Sequence, residues 1–262
     1  MISFVGAGPG APDLITLRGR DRLATAHVVV WASSLVPGSL LDHAPPTAEV
    51  HDSAGMTLED VLAVYRAHPN ARIVRLHSGD PAVYGAIQEQ IDWCVAHERD
   101  FEIVPGVSSL SAAAAALGRE LTIPTVAQSV VLTRLAGRTA ASMPERESVA
   151  GFAAHGATMA VFLSAARPVE LQRELLAGGS GYSVETPAAV VVRASWPDEQ
   201  VVTTTVGQLA AALDALGATR TVLVVVGPAL RGAAARSHLY EPRFAHMFRR
   251  RSRPDSTVGR PA

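Results

Sequence analysis

Short apolar runs alternate with amphipathic stretches from one end of this chain to the other, and that alternation restricts it to an α/β architecture. Ile2–Val5, His27–Ala32, Arg72–Leu76 and Phe101–Val104 read as strands of a first series. Between them, Leu17–Ala26 behind Thr16, the capping-box segment Thr57-Leu58-Glu59-Asp60, Val83–His97 and an alanine-rich stretch from Ser108 or Ser109 to Leu117 read as helices. Gly118 is placed to end the last of these. A second series follows. Val126–Leu132, Thr158–Leu163, Ala188–Arg193, Val201–Thr205 and Thr221–Val226 read as strands, and Glu145–His155, Pro168–Ala177 and Gln208–Leu216 as helices. We expect an N-terminal α/β domain over residues 1–118, a C-terminal α/β domain over 119–235, and a basic, partly disordered tail over 236–262. No internal sequence repeat relates the halves.

Composition narrows the chemistry. All 23 basic residues are arginine, so a Schiff-base lysine, a pyridoxal-phosphate anchor and a P-loop lysine are excluded. Cys94 is the single cysteine, which excludes an intrachain disulfide and a multi-cysteine metal site; its helical surroundings suit a small buried residue. The tail holds seven arginines against Glu241 and Asp255. The remaining body is therefore acidic and a poor match for a broad nucleic-acid surface. Met1–Gly10 has no basic start of a signal peptide, and no apolar run approaches the ~20 residues of a membrane span. A cytoplasmic location without membrane or nucleic-acid partner is expected.

Three glycine-bearing loops follow strands and precede helices. Gly6-Ala7-Gly8-Pro9-Gly10-Ala11 fits a dinucleotide pattern literally. Pro9 and Pro12 nevertheless remove amide hydrogens that a pyrophosphate turn needs. The second strand also ends in Trp31-Ala32-Ser33, with no acid for a ribose hydroxyl. A nicotinamide-dependent oxidoreductase is thus the weaker reading. His77-Ser78-Gly79-Asp80-Pro81-Ala82-Val83-Tyr84-Gly85 places Asp80 near a helix start, as a ligand acceptor or a plain cap. Pro105-Gly106-Val107-Ser108-Ser109 repeats the arrangement. Ligands of open parallel sheets bind beyond the carboxyl ends of strands, where all three loops fall.

Taken together, these motifs resemble the tetrapyrrole (corrin/porphyrin) methyltransferase family, in order from Ile2 to about Leu230. Ser34-Leu35-Val36-Pro37, the run Glu120–Arg134 and Arg193-Ala194-Ser195-Trp196-Pro197-Asp198-Glu199 look like the branch that methylates precorrin-4 at C-11 in cobalamin synthesis. Trp31-Ala32-Ser33 departs from the Tyr-Ala-Gly expected ahead of that segment. The resemblance implies two α/β domains with a cofactor cleft between them, S-adenosylmethionine as methyl donor, a tetrapyrrole acceptor, no metal, and a homodimer. By resemblance, Pro9, Ser78, Gly79, Asp80, Val83, Ser108 and Ser109 line the cofactor from the first domain. Leu163, Ala194 and Gly227 close it from the second. Arginine matches carboxylates bidentately and stacks on conjugated rings, so Arg134, with Arg18 and Arg193 behind it, is the candidate for the acceptor. His77, Asp13 and Asp52 are candidates to assist proton loss; none is singled out, and no catalytic base is named. A cobalt-containing acceptor, or another tetrapyrrole such as uroporphyrinogen, fits the same pattern. In the tail, Tyr240–Phe248 is expected to dock on the body or a partner subunit, ahead of a solvated arginine run.

Overall fold

The computed structural model describes residues 1–136, 140–232, 237–241 and 243–249. Two five-stranded sheets organise the chain. The first contains β1 (Ile2–Gly6), β2 (Val28–Trp31), β3 (Glu49–Asp52), β4 (Ile73–His77) and β5 (Phe101–Val104) in the order β3-β2-β4-β1-β5, every pair parallel. A parallel sheet needs both faces covered. On one side, Ile2, Phe4, Val28 and Val30 pack against Val61, Leu62 and Tyr65 of α2 (Leu58–Ala67) and Cys94 of α3 (Gln88–Ala96). On the other, Val5, Val29 and Leu76 meet Leu23 of α1 (Leu17–Leu23) and Leu40 of a 3₁₀ turn at Gly38–His43.

The second sheet has β6 (Val130–Arg134), β7 (Thr158–Phe162), β8 (Pro187–Val192), β9 (Gln200–Thr205) and β10 (Val222–Val226) in the order β6-β7-β10-β8-β9. Only β6 and β7 run parallel; β10 is antiparallel to both β7 and β8. One face is covered by α5 (Val149–Ala153), α6 (Pro168–Leu175) and α7 (Leu209–Leu216), which bury Val149, Leu171, Leu175 and Leu213 against Val161, Val190 and Val224. The opposite face receives α4 (Ser109–Leu117), whose Ala112 and Ala113 contact the surface of Ala160, Val191, Leu223 and Val225.

Local signals explain most helix boundaries. Thr57 and Asp60 complete the capping box of α2, Ser108 caps α4 through the Leu110 amide, and Gly118 ends α4 in the left-handed region. Three expectations shift, and one strand had none. The helix expected from Val83 begins only at Gln88, because Tyr84 and Ala86 adopt φ of 56° and 49°. The strand expected over Val126–Leu132 lies at Val130–Arg134. A 3₁₀ turn at Glu145–Glu147 shortens the next helix to Val149–Ala153. The edge strand β3, polar at Glu49, His51 and Asp52, carries no apolar run and was not anticipated.

The tail differs as well. Arg249 Nη2 donates to the carbonyls of Leu239, Glu241 and Phe244, folding the segment onto itself. Tyr240, Met247 and Phe248 stay exposed, so of the two expected docking places, the body or a partner subunit, they do not take the body. The arginine run beyond Arg249 lies outside the described residues. No helix among the described residues is long and apolar enough to cross a membrane.

Candidate active site

The three loops leaving β1, β4 and β5 are pressed together so closely that side chains are excluded between them. Gly8 and Gly79 exchange backbone hydrogen bonds, with Gly79 N–H donating to Gly8 O at 2.8 Å. A Cβ on Gly6 would stand 2.7 Å from Gly79 O, and one on Gly106 would overlap that same oxygen and the Gly6 backbone. Asp80 locks the arrangement: Oδ1 accepts from Ala82 N–H and Oδ2 from Gly106 N–H, each at 2.8 Å. Asp80 is therefore both the turn cap that a bland reading allows and a clamp between two loops.

A second set of contacts ties the first loop to the other sheet. Trp196 Nε1 donates to Pro9 O and Ala11 N–H donates to Ser195 Oγ, both at 2.9 Å. Gly10 is packed against the Trp196 indole with no space for a side chain. Tyr84 meets Phe162 across the cleft at a ring separation of 5.2 Å.

These contacts enclose a cavity of about 290 Å³ between the sheets. That is near the lower end of the ~300–1,000 Å³ usual for small-molecule sites. Pro9, Ser78, Gly79, Asp80, Val83, Ser108, Ser109, Leu163 and Ala194 all line it. Gly227 does not. β10 runs antiparallel to β7 and β8, so its carboxyl end points away from the cavity. Gly227 donates to Pro187 O at the start of β8 and lies against Ala157 and Thr158 at the start of β7. The expectation that Gly227 closes the cleft is corrected accordingly.

What β10 supplies is its amino end: Thr219, Arg220, Thr221, Val222 and Leu223 line the cavity, as do Leu35, Phe162 and Ser164. Sequence reasoning missed these residues, because orientation within a mixed sheet leaves no trace in a short apolar run. Backbone strain gathers here. Tyr84, Leu163 and Thr221 have φ of 56°, 51° and 54°, a region that non-glycine residues seldom occupy and that concentrates at functional sites.

The candidate arginines fare differently. Arg134 ends β6 in register with Phe162 and donates to Ser142 Oγ at 3.0 Å. Burial raises the Tyr84 hydroxyl pKa, and the charge of Arg134 pulls it back; Arg134 does not line the cavity, though its register partner Phe162 does. Arg193 is turned elsewhere. Its guanidinium lies 4.1 Å over the Trp196 ring, and its Nε bonds Asp198 Oδ1 at 2.6 Å. Arg18 is exposed on α1 and does not line the cavity.

None of the three proton-transfer candidates lines the cavity either. Asp13 is exposed. Asp52 accepts from the amides of Ser33 and Ala54, and a hydrogen bond from the Ser33 side chain leads, ahead of these amides, in holding its carboxyl below the ordinary value. His77 is buried, its pKa pushed down to about 3 by burial first and by Arg75 second, so its ring is neutral at physiological pH.

The pattern of Tetrapyrrole (Corrin/Porphyrin) Methylases matches residues 1–210, most of the chain. The chain belongs to the tetrapyrrole methylase family. Within the family, it is 45% identical to a precorrin-4 C(11)-methyltransferase of Sinorhizobium sp over 95% of this chain and 98% of that one. A cobalt-precorrin-4 C(11)-methyltransferase of Methanocaldococcus jannaschii is 44% identical over 95% of this chain and 96% of its own. Among solved structures, the cobalt precorrin-4 methyltransferase CbiF, a cobalamin biosynthetic enzyme, superposes with a TM-score of 0.83 at 43% identity. That match covers 87% of this chain and 95% of that chain. The uroporphyrin-III C-methyl transferase of Thermus thermophilus, solved with S-adenosyl homocysteine, gives 0.72 at 30% identity, covering 88% and 98%. The two-sheet α/β architecture is thus that of tetrapyrrole methylases.

Proposed function

We propose that the protein transfers a methyl group from S-adenosylmethionine to C-11 of precorrin-4, giving precorrin-5 and S-adenosylhomocysteine. One observation carries the reading: nine residues assigned to the cofactor from family motifs, drawn from both sheets, converge on a single cavity. Near-full-length likeness to C(11)-methyltransferases supports the choice of acceptor carbon.

The cavity fits such a cofactor. Gly79, with φ of 66°, opens its backbone to a ligand, and a Cβ there would approach the Ser109 amide. When bound, S-adenosylmethionine supplies a methyl already activated on a sulfonium. The protein then has to align, hold and keep dry. Asp80 keeps the glycine loops in register while lining the cavity itself. Arg220 offers a cation to a carboxylate. Val83, Phe162, Leu163, Val191 and Val222 give apolar walls that exclude water. Arg134, which pairs in register with the cavity residue Phe162, is our candidate to meet an acceptor carboxylate.

Relatives acting on precorrin-4 and on cobalt-precorrin-4 are equally similar to this chain, so both acceptors belong in the test. Purified protein is incubated with methyl-labelled donor and each acceptor, and the labelled carbon is assigned by NMR. One new methyl at C-11 is expected. Transfer to neither acceptor, or to another carbon, would overturn the assignment. Calorimetry with NAD and NADP should show no binding. A cytoplasmic homodimer completes the reading, and sedimentation tests the oligomer.

A further inference from the structure

Away from the cavity, the polar edge strand β3 and the end of α2 bring two imidazoles and a carboxylate together. Glu49 and His51 are two residues apart on one strand, so their side chains share a face. Their register partners Val28 and Val30 belong to the apolar face that α2 covers. His68 is the residue that ends α2, directly over that face. Its backbone is fixed, since the His68 carbonyl accepts from Arg99 Nη2 at 2.8 Å and from the Ala71 amide.

One ligand atom from each residue falls within 4.8 Å of the other two. His51 Nε2 is 2.7 Å from Glu49 Oε1, and His68 Nε2 is 3.4 Å from Glu49 Oε2. Donors around a tetrahedral zinc stand ~3.3 Å apart, given bonds of about 2.0–2.2 Å. A hydrogen-bonded triad would account for the same proximity, but the geometry speaks against it at one point. His51 Nε2 is buried and, despite its closeness to Glu49, is not aligned for a hydrogen bond with any described residue. A buried ring nitrogen whose near carboxylate is misaligned for a hydrogen bond keeps part of its desolvation cost, which a metal ion between the two would relieve. Both imidazoles are about a quarter exposed and Glu49 about half, so an ion can enter from solvent.

We propose that Glu49, His51 and His68 form a site for a divalent transition metal, zinc by preference, which clips the edge strand β3 to the end of α2. Two imidazoles and one carboxylate suit zinc, nickel or cobalt and discriminate against magnesium and calcium, which take oxygen donors. The site is structural. β3 begins at Glu49, at the amino end of the parallel sheet, whereas the cavity lies beyond the carboxyl ends. An ion there protects a strand edge that otherwise has one unpaired side.

The test uses full-length protein without a histidine tag, stripped with chelator and titrated with zinc chloride and, in parallel, magnesium chloride. One equivalent of zinc is expected to bind in calorimetry and to raise the melting temperature, with no response to magnesium. In the double variant His51→Ala/His68→Ala, with circular dichroism confirming the fold, zinc affinity should fall by about tenfold or more. Should that variant fail to fold, Glu49→Gln at a half-exposed position repeats the measurement. No saturable zinc binding by the parent, or a smaller loss in the folded variant, would overturn the proposal.

Discussion

The two sheets have the same number of strands and opposite logic. In the first, all strands point the same way, and the loops leaving β1, β4 and β5 arrive together at one edge. In the second, β7 and β8 present carboxyl ends to the cavity while β10 presents its amino end. A rule that seeks ligands beyond strand carboxyl ends therefore finds the first wall whole and half of the second. The cavity is built from a single strand direction on one side and from both directions on the other, which is why Arg220 belongs to it and Gly227 does not.

The sharpest way to break this contrast is a pair of glycine substitutions. Gly106→Ala forces a methyl into the Gly79 carbonyl and should cost about 2–3 kcal/mol or more of stability and abolish S-adenosylhomocysteine binding. Gly227→Ala, at a φ of 141°, should cost about 1–3 kcal/mol while the folded protein binds that ligand as the parent does. Denaturant titration and calorimetry read both. If Gly227→Ala weakens binding as much as Gly106→Ala, the antiparallel placement of β10 is not what separates them.

Asp80→Ala should have the next largest effect. It leaves the Gly106 and Ala82 amides without their acceptor and should lower stability by about 1–3 kcal/mol. Ligand affinity should fall by at least as large a factor, because the loops that Asp80 joins line the cavity. A loss of stability with full affinity would confine Asp80 to capping.

Acid sensitivity should distinguish the halves too. His77 is buried in the first, whereas among the described residues the buried polar side chains of the second are Thr133, Thr158, Ser164, Thr186 and the hydroxyl-bearing Tyr182. Because the folded pKa of His77, about 3, lies below the ordinary 6.5, the unfolded chain takes up the proton first as pH falls. Stability is complete above about pH 6.5 and declines toward pH 3, with about 1 kcal/mol lost between pH 7 and 5.5 from this group. Urea titrations of His77→Gln should show a flatter profile across that window; an unchanged slope would mean the ring does not stay neutral in the folded protein.

The smallest expected effect belongs to Arg220→Ala. As an exposed side chain it should leave stability within about 0.5 kcal/mol. It should weaken S-adenosylhomocysteine or acceptor binding by about threefold to tenfold, the scale of one charge-assisted contact in a wet site. No change in either affinity would remove the amino end of β10 from the binding account.

Particular residues show what was legible in the sequence. Thr57, Ser108 and Gly118 announce their caps because capping chemistry is local. The three glycine loops are readable because close approach of backbones demands glycine whatever the ligand. α4 shows the limit: its alanines mark an apolar face, yet nothing in a 3.6-residue period says that Ala112 and Ala113 meet the second sheet. Tyr84 belongs to the same lesson, since a helical pattern from Val83 conceals a left-handed kink that turns the ring toward Phe162. Arg193 looked like a ligand arginine by type and position, and only tertiary contact reveals Trp196 and Asp198 as its partners.

On the proposed function, carboxyl ends of the parallel sheet and both strand ends of the mixed sheet share one cofactor cavity. A crystal structure of the protein with S-adenosylhomocysteine tests it most directly. The ligand is expected against Gly79, Asp80 and Ser108 on one side and Leu163, Ala194 and the Thr219–Thr221 segment on the other, with Gly227 out of contact. Ligand density elsewhere, or contacts confined to the first sheet's loops, would contradict it.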